Sequence, residues 1–228
     1  MSKSHVLLWS GGFDSTAILL SMVSNPETFT DVRVIGCGLT NTNNYAEDKA
    51  ARKKIAEILS IPNKNISYVE QELTSECRCG IQMPMWAWLS AVNAGHGDDV
   101  SMVYGYIRGD DFWHNKYEFE QTVRFMVSLY SEGKISFFYP LEWLSKKEFV
   151  SWYLHYPEVF QSISWGGDTA TVKAKEKEEL EFLYEQLRKA QKEGVKKDEN
   201  EEIKPKVERE DLSHITIESV AVANEAKA

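Results

Sequence analysis

The sequence contains few cysteines and no long run of apolar residues. Only three of its 228 residues are cysteine, and so small and odd a number does not suggest a disulfide framework, which favours a reducing compartment. The first apolar run, Val6 to Trp9, is too short for the core of a signal peptide, and no later run could span a bilayer. These absences predict a soluble, cytoplasmic protein without a membrane partner.

Positive charge is also scarce. Lys and Arg number 26 against 35 Asp and Glu, a formal net charge of −9, which argues against direct nucleic-acid binding. The common nucleotide motifs are missing as well. The chain has no Gly-x-x-x-x-Gly-Lys segment, and no third glycine follows Gly11 and Gly12 to complete a dinucleotide motif. At 43% hydrophobic residues, the chain suits one domain of ordinary size.

The chain does contain an alternation of strand-like and helix-like segments. Short apolar runs predict strands, at residues 5–9, 32–37, 66–70, 100–104 and 135–139. Between them, apolar residues recur at helical spacing, as in Ala51, Ile55, Ile58 and Leu59 and again in Phe119, Val123, Met126, Val127 and Tyr130. This alternation predicts an α/β fold, a Rossmann-like parallel sheet with helices on both faces.

Two further helices are predicted later in the chain. Ser145 and Glu148 form a capping-box pattern at the start of the first. The second is amphipathic and begins near residue 173, and we expect Gly194 to end it. Its apolar face consists of Leu180, Leu183, Tyr184 and Leu187.

The last part of the chain differs in composition. Residues 195–211 are almost wholly polar and charged, which predicts a linker or a disordered segment. Residues 214–222 (HITIESVAV) alternate like a strand, which could add to a sheet edge of its own body or of a second copy. We expect this docking and a homo-oligomer, with a disordered tail as the alternative. The chain therefore divides into residues 1–172, 173–194 and 195–228.

The turn after the first predicted strand has the composition of an anion site. Its sequence is SGGFDS, residues 10–15. Glycines allow backbone N–H groups to approach a ligand, and a helix start collects free N–H groups and the positive end of the helix dipole. Hydroxyl groups of Ser10, Ser15 and Thr16 add donors, so we expect a cradle for phosphate or pyrophosphate. A strand-to-helix turn that is merely rich in serine and glycine is the alternative.

This loop resembles that of the PP-loop ATP pyrophosphatase superfamily, whose pattern is Ser-Gly-Gly-x-Asp-Ser. Two later segments, 104–126 and 137–153, resemble one family within it, the 7-cyano-7-deazaguanine synthases of the queuosine pathway. Residues 74–94 fall where that family places a loop and a helix over its substrate. The similarity covers roughly residues 5–165.

The resemblance implies an ATP-dependent ligase. The carboxylate of 7-carboxy-7-deazaguanine would attack the α-phosphate of ATP, and free ammonia would displace AMP to give an amide. A second ATP would activate the amide oxygen, and loss of AMP would leave the nitrile. ATP and Mg²⁺ are the implied cofactors, because Mg²⁺ offsets the pyrophosphate charge. Two alternatives stay open: a related ligase acting on another carboxylate or a macromolecule, and a non-catalytic nucleotide-binding or assembly protein.

The loop, the predicted strand ends and the resemblance together give the candidate site residues. The candidates for ATP binding are Trp9, Ser10, Gly11, Gly12, Phe13, Asp14, Ser15, Thr16, Leu39, Asn41 and Gly105. The candidates for catalysis are Ser10, Asp14, Ser15 and Lys146. The candidates for substrate binding are Trp86, Arg108, Asp110, Asp111 and His114. The alternative is a solvated side chain for Lys146 and an exposed salt bridge for Arg108. It is a helix cap for Asp110 and Asp111, and a core position for Trp86.

The chain departs from the family in two places. The family holds a structural zinc with four cysteines near its C-terminus, whereas this chain has no cysteine after Cys79. Tetrahedral zinc needs four good ligands, so we expect no zinc. Cys77 and Cys79 could join Cys37 and His96 at another metal, although Cys-x-Cys spacing matches zinc sites poorly. Segment 39–49 also lacks the basic group that the family carries there.

The missing cysteines lead to a direct prediction about zinc. The purified protein should hold well under one equivalent of tightly bound zinc, and a chelator should leave its melting temperature unchanged. Elemental analysis and thermal denaturation with and without the chelator measure both quantities. Stoichiometric zinc would show that Cys77, Cys79 or other residues build a replacement site.

Overall fold

The structure, a computed structural model, describes residues 4–40, 44–74, 82–94, 99–107, 111–131, 133–165 and 170–200. Its strands are β1 (Ser4–Trp9), β2 (Val32–Leu39), β3 (Ile66–Leu73), β4 (Val100–Val103) and β5 (Ile135–Phe138). Its α-helices are α1 (Phe13–Ser24), α2 (Tyr45–Ile58), α3 (Gln82–Asn93), α4 (Lys116–Ser128), α5 (Lys146–Phe149), α6 (Pro157–Ser162) and α7 (Ala170–Asn200). Residues Asp111–Asn115 and Val150–His155 form 3₁₀ helices.

The strands of the described residues form one parallel sheet in the order β3-β2-β1-β4-β5. The chain moves outward from β1 through β2 to β3, and then crosses to β4 on the other side of β1. The direction of winding therefore reverses between β1 and β4. In open α/β sheets, ligands bind beyond the carboxyl ends of the strands at such a reversal. The predicted α/β fold with a parallel sheet is confirmed.

Each face of the sheet carries its own apolar core. Successive residues of a strand point to opposite faces. Leu7 and Trp9 of β1 therefore pack with α1, α2, α5, α6 and α7. Val6 and Leu8 pack with α3 and α4 on the other face. Because both faces are covered, the central strands are mostly apolar, with polar residues such as Arg33 in β2 and Ser101 in β4 as exceptions. The prediction of helices on both faces is therefore confirmed.

The long helix α7 differs from its prediction in length. It runs through Gly194 to Asn200, so the prediction that Gly194 ends the helix is wrong. A glycine costs about 1 kcal/mol relative to alanine inside a helix, and the surrounding Lys, Glu and Gln residues favour helix strongly enough to continue it. Leu180 and Tyr184 are buried in the core that contains α1, as the predicted apolar face requires. The predicted strand at 214–222 lies outside the described residues.

The helices of the described residues do not include a membrane span, because none is both long and apolar enough to cross a bilayer. The longest of them, α7, carries Lys and Glu along most of its length.

The predicted capping box is confirmed and positions Lys146. Ser145 is the N-cap of α5, and the Glu148 carboxylate accepts a hydrogen bond from the backbone N–H of Ser145 at 2.6 Å. This box fixes the start of the short helix, whose first residue is Lys146. The lysine is thereby placed near the carboxyl ends of the strands.

Candidate functional site

A cavity of about 490 Å³ opens beyond the carboxyl ends of β1 and β4. Its walls come from the end of β1 and the loop to α1, the residues after β4, the start of α5, single residues of α2, α3 and α7, and residues 164–165. The cavity lies at the reversal of the sheet, where ligand sites of this architecture occur. Its volume falls within the range of small-molecule sites, roughly 300–1,000 Å³.

The two loop glycines have different structural roles. Gly11 has a φ of +88°, a conformation that favours glycine, and a Cβ there would lie 2.8 Å from Cγ of Arg52. The atom nearest to a Cβ on Gly12 would be the Ser10 hydroxyl oxygen, at 3.4 Å. The fold therefore requires glycine at position 11, whereas position 12 has room for a small side chain.

The first turn of α1 borders the cavity. The N-cap of α1 is Gly12, and no side chain caps the helix. The first N–H groups of a helix lack intrahelical partners, and the positive end of the dipole lies with them. The hydroxyl groups of Ser10 and Ser15 are 3.0 Å apart at this turn. Gly105 packs on it so closely that a Cβ would lie 2.9 Å from the backbone nitrogen of Ser15.

Trp9 and Thr16 support the loop from inside the core. Both are fully buried, and Nε1 of Trp9 donates a hydrogen bond to Oγ1 of Thr16 at 3.0 Å. The Thr16 hydroxyl therefore faces the core, and Thr16 is not among the residues that line the cavity, whereas Ser15, one residue earlier, is. The side chain of Trp9 likewise faces the core rather than a ligand.

Phe13 anchors the loop to the late part of the chain. Its ring lies 5.0 Å from that of Tyr153 and 5.5 Å from that of Trp165, measured between centroids. The Tyr153 hydroxyl donates to the backbone oxygen of Phe13. Burial, and then the nearby charge of Asp14, raise the pKa of Tyr153 well above its ordinary value. Tyr153 therefore stays a neutral donor that holds the loop in place.

A buried arginine lies directly behind the loop. Arg52 of α2 is 0% exposed, and its Nη1 donates to the backbone oxygens of Ser10 at 2.8 Å and of Cys37 at 3.2 Å. Its Nε donates to the Glu70 carboxylate of β3 at 2.9 Å, and Tyr68 also donates to that carboxylate. Burial lowers the pKa of Arg52, but the hydrogen bonds and charge of Glu70 outweigh it and raise the pKa overall. One charged side chain thus ties the loop to β2, α2 and β3.

Cys37 is a poor metal ligand in this environment. Its thiol is buried and donates to the backbone oxygen of Trp9 at 3.7 Å. Burial raises the pKa of Cys37, so the thiolate that binds metals is disfavoured. Among the described residues, no group of three or more His, Cys, Asp or Glu side chains is arranged to hold a metal ion. Cys77, Cys79 and His96 lie outside those residues.

Lys146 extends into the cavity between two carboxylates. Its Nζ lies 3.6 Å from an oxygen of Asp14 and 2.9 Å from an oxygen of Glu176. The lysine and Asp14 were both predicted as site residues, and the structure brings them together. Glu176 of α7 was not predicted. It places a charge from the late helix at the loop.

Asp48 and Ser164 form the wall beside the glycines. The Ser164 hydroxyl donates to the Asp48 carboxylate, and the Ser164 backbone N–H donates to the backbone oxygen of Gly11 at 3.1 Å. Both residues line the cavity. A third carboxylate therefore lies near the loop, in addition to those of Asp14 and Glu176.

Aromatic side chains also line the cavity, namely Trp86, Tyr104, Tyr106 and Trp165. The Tyr104 hydroxyl donates to Oγ of Ser90 at 2.6 Å, which fixes that ring. Flat rings of this kind offer stacking surfaces to a planar ligand. Trp86 is half-buried at the cavity, whereas Trp88, two residues further along α3, is exposed on the other side of the helix.

The other predicted residues are distributed as follows. Gly105 lines the cavity, and Leu39 is the last residue of β2. Asp111 begins a 3₁₀ helix on which His114 is exposed, and His114 is not among the residues that line the cavity. Three candidates lie outside the described residues, namely Asn41, Arg108 and Asp110.

The sequence did not reveal three of the ionic groups around the loop, namely Asp48, Arg52 and Glu176. A signal for Arg52 exists, because it lies three and four residues before the buried Ile55 and Ala56 and so falls on the apolar face of α2. A charged residue on such a face needs a buried partner. No local pattern marks Ser164 or Glu176, which reach the cavity only through the tertiary fold.

Comparisons of the chain with protein-family models, curated proteins and solved structures found no significant match.

The buried pair of Arg52 and Glu70 should be a major source of stability. We expect Arg52→Met to lower the free energy of unfolding by about 1–3 kcal/mol, because it leaves the partly exposed Glu70 carboxylate and the backbone oxygens of Ser10 and Cys37 without their donor. The double variant Arg52→Met/Glu70→Leu should recover part of that loss, because no uncompensated charge remains. Urea denaturation followed by circular dichroism measures both effects.

A matched control joins the same two elements at the surface. Lys49 of α2 pairs with Glu72 of β3, and the two side chains are 49% and 44% exposed. Lys49→Met should cost several-fold less than Arg52→Met, because exposed ion pairs contribute little. Equal losses for the two variants would contradict a special role for the buried pair.

Proposed function

We propose that the cavity binds ATP with its phosphates on residues 10–15, and that the protein is a ligase which activates a carboxylate by adenylation. The observation that supports this most is the uncapped start of α1, which lies beside two serine hydroxyls and a lysine at the reversal of the sheet. The family resemblance supplies the reaction type. A cytoplasmic location, where ATP is at hand, belongs to the same proposal.

The loop offers several donors to phosphate oxygens. They are the N–H groups at the start of α1 and the hydroxyl groups of Ser10 and Ser15. Lys146 would exchange its contacts with Asp14 and Glu176 for a phosphate, since its Nζ is already in the cavity. Arg52 does not reach the ligand in this proposal. It is a positioning residue, because it holds the backbone of Ser10.

The residues near the loop fit a magnesium ion bound together with ATP. Mg²⁺ is usually held by one or two carboxylates, substrate phosphates and water. Asp14 and Asp48 both line the cavity and would supply the carboxylates. The ion would offset phosphate charge in a cavity that also contains Glu176.

The aromatic part of the cavity fits a planar heteroaromatic substrate. Trp86, Tyr106 and Trp165 line it, and aromatic rings favour contact with planar ligands. The resemblance implies 7-carboxy-7-deazaguanine as the substrate. Its carboxylate oxygen would attack the α-phosphate, and pyrophosphate would leave toward the loop. Free ammonia would then displace AMP to give the amide. A second ATP would then adenylate the amide oxygen and release a second pyrophosphate, and loss of AMP and the two amide protons would leave the nitrile.

Catalysis in this proposal is mainly positioning and electrostatic stabilisation. Negative charge builds up on phosphate oxygens during the transfer, and fixed donors stabilise it without reorganising. Two anchors provide that rigidity, because Arg52 donates to the backbone oxygen of Ser10 and Tyr153 donates to that of Phe13. Lys146 supplies a positive charge that would move from Asp14 and Glu176 to the phosphate oxygens.

A second candidate is a nucleotide-binding protein without turnover. The close contact between Lys146 and Glu176 favours it, because the cation that would meet the phosphates is already paired. Both candidates require ATP to bind at the loop. They differ in whether AMP and pyrophosphate are formed.

The test of the proposed function combines binding with turnover. The protein is incubated with ATP, Mg²⁺, ammonium and 7-carboxy-7-deazaguanine, and AMP, pyrophosphate and the nitrile are measured. We expect all three products. Gly12→Val should fold and reduce turnover by about 100-fold or more, because its side chain enters the cradle. Lys146→Ala should reduce turnover, while Lys147→Ala, whose lysine pairs with Glu179 at the surface, should not.

The outcomes separate the alternatives. AMP and pyrophosphate formed only with another carboxylate would point to a related ligase. ATP binding measured by calorimetry without product would point to the non-catalytic candidate. If the wild-type protein and Gly12→Val bind ATP equally well, the loop is not the phosphate site and the proposal fails.

A further inference from the structure

A second cavity lies beside the proposed phosphate site. Its volume is about 460 Å³, and it opens between the residues just before α5 and the helix α7. Apolar side chains of Trp143, Leu144 and Leu180 form part of its wall. Of the described residues, only Lys146 and Glu176 line both cavities. The ion pair between these two side chains therefore lies at the boundary between the cavities.

The two carboxylates that contact Lys146 differ in what holds them. The Asp14 oxygen lies 3.6 Å from Nζ and belongs to the first turn of α1, where the helix dipole favours a negative charge. The Glu176 oxygen is closer, at 2.9 Å, but its side chain is 42% exposed. Because exposed side chains change rotamer readily, Glu176 can leave the lysine while Asp14 keeps its position.

The backbone of α7 need not move for this change. Leu180, one turn after Glu176, and Tyr184, a further turn along, are each 2% exposed. The Tyr184 ring stacks on the ring of Phe160 in α6, with centroids 3.9 Å apart. The helix is thus fixed beside the phosphate site, and only the side chain of Glu176 has to turn toward the second cavity.

We propose that Glu176 is an autoinhibitory residue of the phosphate site, where it competes with the phosphates of ATP for Lys146. When phosphate oxygens reach the loop of residues 10–15, the Lys146 ammonium leaves Glu176 for them, and the carboxylate turns away. This contact sets the ATP concentration at which the site fills. The inference rests on the proposed function, because it assigns a regulator to the same site.

The charge of the cavity wall supports this competition. Of the described residues that line the cavity, Asp14, Asp48 and Glu176 carry negative charge and Lys146 alone is a lysine or arginine. ATP brings further negative charge, so a carboxylate in the wall opposes its binding. Glu176 opposes it in two ways, because it repels the phosphates and also pairs with the lysine that would bind them.

Calorimetric titration of the full chain with ATP and Mg²⁺ tests the inference. We expect Glu176→Gln to lower the ATP dissociation constant by about three- to fivefold, the range that ion pairs of this exposure contribute. Glu179→Gln is the matched control. Glu179 lies three residues later on α7, pairs with Lys147 at 3.5 Å, and lines the second cavity but not the first. Its replacement should change the dissociation constant by less than about twofold.

A double variant separates competition for the lysine from a general loss of negative charge. Lys146→Ala should weaken ATP binding, and adding Glu176→Gln to it should change the dissociation constant by less than about twofold, because no lysine remains to be released. An equal gain from Glu176→Gln with and without Lys146 would contradict the competition.

Circular dichroism melting verifies that each variant is folded. Unchanged or weaker ATP binding in Glu176→Gln would overturn the inference, and so would an equal gain in Glu179→Gln. If Gly12→Val then still binds ATP less tightly than the wild type, only the inference fails and the proposed function stands. Absence of ATP binding in the wild type and in Glu176→Gln would overturn both. Tighter binding in Glu176→Gln that requires Lys146 supports the inference.

Discussion

The interaction on which the site depends is the ion pair between the buried Arg52 and Glu70, whose side chain is 24% exposed. An arginine with no exposed surface is costly unless its charge and its donors are all matched. Here the guanidinium meets one carboxylate and two backbone oxygens, which belong to Ser10 and Cys37. The pair therefore joins the carboxyl ends of β1 and β2 to α2 and β3. Gly11 is constrained by the same contact, because a side chain there would collide with Arg52.

The cavity next to this ion pair combines groups that are held in place by packing with ionic contacts that a ligand could replace. The loop cannot move far, because Phe13 is stacked into the core and Gly105 packs against the first turn of α1. The ionic contacts of Lys146 lie at the surface of the cavity and could be exchanged for phosphate oxygens. This arrangement suits a reaction in which preorganised donors stabilise charge on phosphate oxygens, as the proposed adenylation requires.

The sequence predicted the sheet well, because the buried central strands are short apolar runs whose character does not depend on their neighbours. It also predicted the capping box, whose two members are three residues apart. It failed where distant residues decide. The Thr16 hydroxyl faces the core because it accepts a hydrogen bond from Trp9. Glu176 contacts Lys146 only because α7 packs on the core. Gly194 was misjudged because a weak local preference was given more weight than thirty residues of helix-forming sequence.

The central claim is that the braced loop of residues 10–15 holds the phosphates of ATP. The most direct measurement is a crystal structure of the protein with Mg²⁺ and a non-hydrolysable ATP analogue. The account predicts phosphate oxygens within hydrogen-bond distance of the first N–H groups of α1 and of Ser10 or Ser15, with the contact from Arg52 to the Ser10 backbone oxygen intact. A nucleotide bound elsewhere, or phosphates at the loop only after that contact has broken, would contradict it.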